Sequence, residues 1–164
     1  MTLGFKTIMN DQPNYFVEKI WQGIFLLKND EPVHTIYSKY LIEHTDRFNK
    51  EWDIITDEEI MPKLHTVRRE KKQRWQKGMK IHFVINNRTT DRFQFAPVME
   101  CTGLQDIEIN NGGNRSVIID GREIEGDELE LFSRNDGFSD SDALFDYFTS
   151  RYKGKLIHWA GILY

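Results

Sequence analysis

The stretch Pro62-Lys63-Leu64-His65-Thr66-Val67-Arg68-Arg69 divides the chain into a largely helical first part and a largely β second part. Proline lacks a backbone N–H and stops the pattern before it, so the chain changes direction here. The same segment opens the dense basic run of the sequence. Lys63, His65, Arg68, Arg69, Lys71, Lys72, Arg74, Lys77 and Lys80 follow one another, with Glu70 the one acid among them. Lys63, Thr66 and Arg68 lie close together, and they point to an anionic or nucleotide-like ligand. The plainer alternative makes Lys63 and Arg68 solvated charges on a strand edge and Thr66 a good β-former.

Before this stretch, helical spacing dominates. Pro13 suits an early helical position, and Tyr15, Phe16, Ile20 and Trp21 recur at helical intervals, with Gly23 as the expected stop. A second helix is expected from Val33 to about Asp53, carrying Ile36, Tyr37, Tyr40, Leu41, Thr45 and Phe48 three and four residues apart. Asp57-Glu58-Glu59 reads as a further helix N-terminus, where acids favour the exposed N–H groups.

After it, alternation takes over. Met79 to Asn87 reads as a strand, Asn86 to Asp91 as a turn, and the run from Phe93 to about Thr102 as its hairpin partner, continuing through Leu104, Ile107 and Ile109. Ser116 to Ile119 is a third strand signal. Asp120-Gly121 is a hairpin dipeptide, so Arg122 to Ile124 should pair back. Glu128 to Ser133 suggests a short helix broken by Asn135-Asp136-Gly137-Phe138. Ser139 then reads as an N-cap with Asp142 three residues on, and Leu144, Phe145 and Phe148 as the apolar face of the next helix. Gly154 is expected to separate that helix from a last strand, Lys155 to Leu163.

Composition bounds the function. A chain of 164 residues, 39% hydrophobic and 13% aromatic, has enough apolar material for one folded domain. A net charge of −4 argues against indiscriminate coating of nucleic acid, which needs many phosphates neutralised at once. Acids also dominate from Asp120 to Asp146, so an anion-binding face must be local. Cys101 is the one cysteine, which excludes an intrachain disulfide and suits a reducing compartment. The first residues lack the apolar core of a signal peptide, and no run approaches the roughly 20 apolar residues of a membrane span. The expectation is a cytoplasmic protein without a membrane segment. His65 and His82 lack companions at metal-ligand spacing and read as structural, and Gly112-Gly113 lacks the context of a dinucleotide loop. No metal and no cofactor are expected.

The order of these segments resembles an ASCH domain of the PUA-like superfamily. Lys63-Leu-His-Thr-Val-Arg68, a glycine-bearing turn into Met79-Lys-Ile-His-Phe-Val84, a central β-region, Asn135-Asp-Gly-Phe138, a helix and a closing aromatic strand follow the family's sequence of parts. Met61 and Pro62 stand where the family has a glycine turn, and Phe25 to Ile60 looks like a helical insertion. The resemblance covers residues 1–164 as one domain. It implies an α+β fold, a small twisted β-barrel flanked by helices, with a cleft beside Lys63, Thr66 and Arg68. It also implies an RNA, nucleotide or modified-nucleoside ligand.

Some relatives are similar to amidohydrolases of N-acetylated cytidine, in which the motif lysine and threonine act with a later glutamate. That position falls at Asp136, one methylene shorter, and Glu100 is a second candidate carboxylate. In this alternative Lys63 takes the proton of Thr66, the Thr66 hydroxyl attacks the amide carbonyl, and the carboxylate protonates the leaving amine or orients the lysine. Arg68 would hold an oxyanion or a phosphate. A methylene matters here, because misplacement by about 1 Å can cost on the order of a hundredfold in rate. Arg69 and Trp75 are candidate RNA contacts, a cation for the backbone and a ring for a base, although Trp75 reads equally as a core anchor. Arg88, after Asn86-Asn87, reads as a phosphate or base contact or as ordinary turn chemistry.

Overall fold

The computed structural model describes residues 1–9, 11–52, 61–70 and 73–164. In chain order the elements are β1 (Thr2–Phe5), β2 (Ile8–Met9), β3 (Gln12–Pro13), α1 (Phe16–Leu27), α2 (Glu31–Phe48), β4 (His65–Arg68), β5 (Lys80–Ile85), β6 (Phe93–Gln94), β7 (Met99–Glu100), β8 (Gly103–Asn111), β9 (Arg115–Ile119), β10 (Arg122–Ile124), α3 (Gly126–Asn135), α4 (Ser141–Tyr147) and β11 (Tyr152–His158). The fold is α+β, with mostly antiparallel pairing. The chain divides into two compact units, Met1–Pro62 with Lys80–Met99, and Lys63–Met79 with Glu100–Tyr164. Among the described residues no helix is long and apolar enough to cross a membrane.

In the first unit, β5 runs parallel to β1 and antiparallel to β6, which gives the 79–94 hairpin expected from its alternation. Helix α1 buries Val17, Ile20, Trp21 and Ile24, the spacing of one helical face. The Trp21 indole N–H donates to the Phe95 carbonyl at 2.9 Å, and its ring packs against Tyr37 and Tyr40 of α2. Helix α2 is capped by Asp30, whose carboxylate accepts from the Val33 N–H at 3.1 Å, and it ends at Asn49 in the left-handed region (φ 50°). This falls short of the Asp53 end expected from periodicity. Ile36 and Ile42 stay exposed, so the stripe that α2 buries is narrower than its apolar content suggests.

Three local expectations are corrected. Pro13 is not in the first helix. It pairs with Ile8, and α1 starts only at Phe16, after Asn14 accepts from the Phe16 N–H and donates to the Lys6 carbonyl. Gly23 lies buried within α1 rather than ending it, because the apolar face continues to Ile24. Asp140, not Ser139, caps α4, accepting from the Ala143 N–H at 2.8 Å. The expected helix start at Asp57-Glu58-Glu59 and the basic residues Lys71 and Lys72 lie outside the described residues.

The second unit is built on an antiparallel sheet in the order β10-β9-β8-β11-β4. Its apolar face is made of Ile107, Ile109, Val117, Ile119 and Leu156, all buried. The turn from β9 to β10 uses Asp120 and Gly121 at φ 50° and 85°, the left-handed pair that a two-residue hairpin requires. Asp120 also accepts from the Asp106 N–H at 2.8 Å, tying the turn to the next strand. Gly154, expected as a separator, sits inside β11 opposite Ile107.

Candidate functional site

Strand β4 carries the basic motif at the sheet's end, paired on one side with β11 through His65↔His158, Thr66↔Ile157, Val67↔Leu156 and Arg68↔Lys155. Arg68 and Lys155 face each other as like charges, which is unfavourable in isolation. Asp106 on β8 relieves it, lying 2.6 Å from Lys155 Nζ.

The segment Asn135-Asp-Gly-Phe138 closes α3 as a Schellman cap. Gly137, at φ 94°, donates to the Arg134 carbonyl and Phe138 to that of Ser133. This cap sets Asp136 under β4, where its Oδ1 lies 2.8 Å from Lys63 Nζ, 3.3 Å from the Val67 N–H nitrogen and 3.5 Å from His65 Nδ1. Lys63 also donates to the Asp136 carbonyl. The group is closed to solvent, with Lys63 1%, Thr66 3% and Asp136 4% exposed. Burial alone would push the Asp136 carboxyl up, but the Lys63 ammonium and the His65 ring outweigh it and hold it below the ordinary aspartate range.

His65 is buried, and burial lowers its pKa against the pull of Asp136, so it is a neutral imidazole at pH 7. With the hydrogen on Nδ1, toward the Asp136 carboxylate, Nε2 is the acceptor and the Tyr164 hydroxyl 2.9 Å away donates to it. At 3.5 Å the Nδ1 approach is an electrostatic contact rather than a full hydrogen bond. Tyr164 in turn accepts from Asn135 Nδ2 at 2.8 Å, and burial pushes its pKa up to about 12. This polar cluster of His65, Asn135 and Tyr164 was not visible in sequence spacing, because its members come from three distant segments.

Beside the buried group opens a cavity of about 330 Å³, whose walls include Arg68, Arg69, Tyr147, Phe148, Ser150 and Tyr152. The Arg69 guanidinium lies over the Tyr152 ring, 5.1 Å from its centroid. Desolvation works against the Arg68 charge, lowering it from the ordinary arginine value despite support from Asp136, Tyr147 and Tyr152. Tyr147 and Tyr152 line this cavity, and neither was singled out in the sequence.

The other sequence candidates are distributed differently. Glu100 is exposed on β7, so Asp136 is the carboxylate that meets Lys63. Trp75 is only 7% exposed, so its indole is covered rather than open to a base. Arg88 belongs to the first unit, exposed in the turn after β5. Among the described residues no three His, Cys, Asp or Glu side chains converge as a metal site. The chain matches no family model, no curated protein and no solved structure.

Close approach of β11 fixes where Arg68 stands. A Cβ added at Gly154 would collide with the Arg68 carbonyl oxygen and lie 2.9 Å from the Tyr152 ring. Gly154→Ala is therefore expected to cost about 1–3 kcal/mol, the usual penalty for overpacking, read as a lowered urea midpoint. An unchanged midpoint would mean that the two strands separate without strain.

Proposed function

We propose that the chain is an ASCH-like module of PUA-like architecture, its second-unit sheet contributing to a small twisted barrel, that binds RNA or a nucleotide through the Arg68 cavity. One observation carries this reading: Arg68 and Arg69 line a single cavity with Tyr147, Phe148 and Tyr152. Guanidinium groups suit phosphate oxygens, and aromatic rings suit the faces of bases. In this reading Lys63 and Asp136 hold β4 in place and do not touch the ligand.

A fluorescein-labelled single-stranded oligoribonucleotide, followed by anisotropy at low salt, tests the proposal. Arg68→Ala and Arg69→Ala are each expected to weaken binding about tenfold. Each should also flatten the dependence of log K on log salt by about 0.7, the value for one lost phosphate contact on a single strand. If neither oligoribonucleotides nor free nucleotides bind, or if the two variants bind like the parent, the proposal fails.

A second reading, an amidohydrolase of N-acylated pyrimidine nucleosides, is favoured by one contact. Asp136 at 2.8 Å from Lys63 has the relation that the family glutamate would need. Against it, the ion pair favours the ammonium over the free amine that a base requires, and Lys63 and Thr66 are both shielded from substrate. Thr66→Ala separates the readings. In the enzyme it abolishes release of free nucleoside from an acylated panel while leaving binding largely intact, and in the binding module it changes retention only modestly.

A further inference from the structure

We propose that the first unit holds a separate site for a planar heteroaromatic ligand bearing a phosphate group, the chemistry of a nucleoside monophosphate. Two cavities made of first-unit residues carry it. One, of about 280 Å³, has an aromatic wall of Phe16, His44, Phe48 and Trp52. The other, of about 460 Å³, is edged by Lys6, Asn87 and Arg88. Both are bounded by Thr7, Ile8 and Asn86, which makes them neighbours; the ring is assigned to the first and the anion to the second. The second volume falls within the range of small-molecule sites, about 300 to 1,000 Å³, and the first lies just under it.

The aromatic cavity carries hydrogen-bonding groups suited to a heterocycle. His44 Nδ1 lies 2.7 Å from the Lys50 carbonyl and must donate its hydrogen there. Burial lowers the His44 pKa, so the ring is neutral and Nε2 keeps a lone pair for a ligand N–H. Trp52, stacked on His44 with centroids 4.3 Å apart, has a buried indole N–H without an acceptor among the described residues. A buried donor without a partner is costly.

The second cavity sorts charge. Among the described residues it is lined by Lys6 and Arg88 and by no acid, whereas the aromatic cavity is lined by Glu18 and Glu51 with Lys50 as its one cation. An anionic group is thereby directed to the basic end. Neither Lys6 nor Arg88 makes an ion pair among the described residues. The Asn87 side chain rests against the backbone of Gly4, where an added Cβ would come within 3.0 Å of its Nδ2. Tyr15 and Arg88, at φ 55° and 72°, hold left-handed backbone that such residues rarely adopt, and each lines one of the two cavities.

Isothermal titration calorimetry of the full chain with AMP, GMP, CMP and UMP, their nucleosides and inorganic phosphate tests the site. At least one monophosphate should bind, with its nucleoside and inorganic phosphate each at least tenfold weaker. Lys6→Ala with Arg88→Ala, both at exposed positions, should weaken that monophosphate at least tenfold, and Trp52→Phe about threefold. The Arg68→Ala and Arg69→Ala variants should bind it unchanged. Absence of binding by all four monophosphates at millimolar concentration overturns the proposal. So does binding untouched by the Lys6 and Arg88 changes but lost with Arg68 and Arg69, which would place the nucleotide in the other unit and leave the RNA-binding proposal standing alone.

Discussion

Asp136→Ala is expected to destabilise the protein by about 3–5 kcal/mol, the cost of leaving one member of a buried ion pair without its partner. Lys63 is 1% exposed and cannot reach water without disrupting the chain around it. The substitution also removes the acceptor of the Val67 N–H and the negative charge facing His65. Lys63→Met should cost less, because the Asp136 carboxylate keeps the Val67 N–H and the His65 ring. The double variant Lys63→Met with Asp136→Ala should be more stable than Asp136→Ala alone, since no buried charge is left unpaired. Urea denaturation of all four proteins at pH 7.5 closes the cycle. Additive effects without coupling would show that the pair is not the unit that holds β4 to the end of α3.

Stability should fall steeply as pH drops from about 6.5 toward 3. His158 is fully buried, and neither ring nitrogen has a hydrogen-bond partner. Burial pushes its pKa down from 6.5 to about 3, and burial also lowers that of His65. In the unfolded chain both take up protons near pH 6.5. Below that pH the unfolded state binds more protons than the folded one, so the contribution is complete above about 6.5 and is lost as pH falls. For His158 alone the loss by pH 3 is on the order of 4 kcal/mol. Asp136 acts lower on the scale. Its folded pKa is depressed, so its contribution persists above the ordinary aspartate range and is lost only below it. The window from 6.5 to about 5 lies above the carboxylates and so isolates the histidines. Urea midpoints taken through that window should decline for the parent and decline by about one proton's slope less for His158→Leu. A flat profile in the parent, or an identical slope in the variant, contradicts the account.

Local chemistry was legible wherever one short segment settles its own geometry. Asp120-Gly121 reads as a hairpin turn because its left-handed pair is intrinsic to those two residues. Asn135-Asp-Gly-Phe138 reads as a helix end because Gly137 alone accepts the cap conformation without strain. Reading failed where a neighbour distant in sequence overrides propensity. Gly154 reads as a break, yet it is strand, because only a residue without a Cβ tolerates the approach of β11 to Arg68. Pro13 reads as a helix start, yet pairing with Ile8 and the hydrogen bonds of Asn14 delay α1 to Phe16.

For the site, the basic motif was readable from the chain, since residue type and spacing are properties of the sequence, and Asp136 became a candidate through what the ASCH resemblance implies. Which carboxylate meets Lys63 was not readable, because Asp136 and Glu100 differ in tertiary position and not in chemistry. Only the fold closes the 73 residues between Lys63 and Asp136. In doing so it buries the lysine and threonine that the sequence offered as reactive, and leaves Arg68, Arg69 and Tyr152 at the edge of a cavity. Solvent access and partner identity depend on packing between distant segments, and those decide whether a polar side chain supports the fold or meets a ligand.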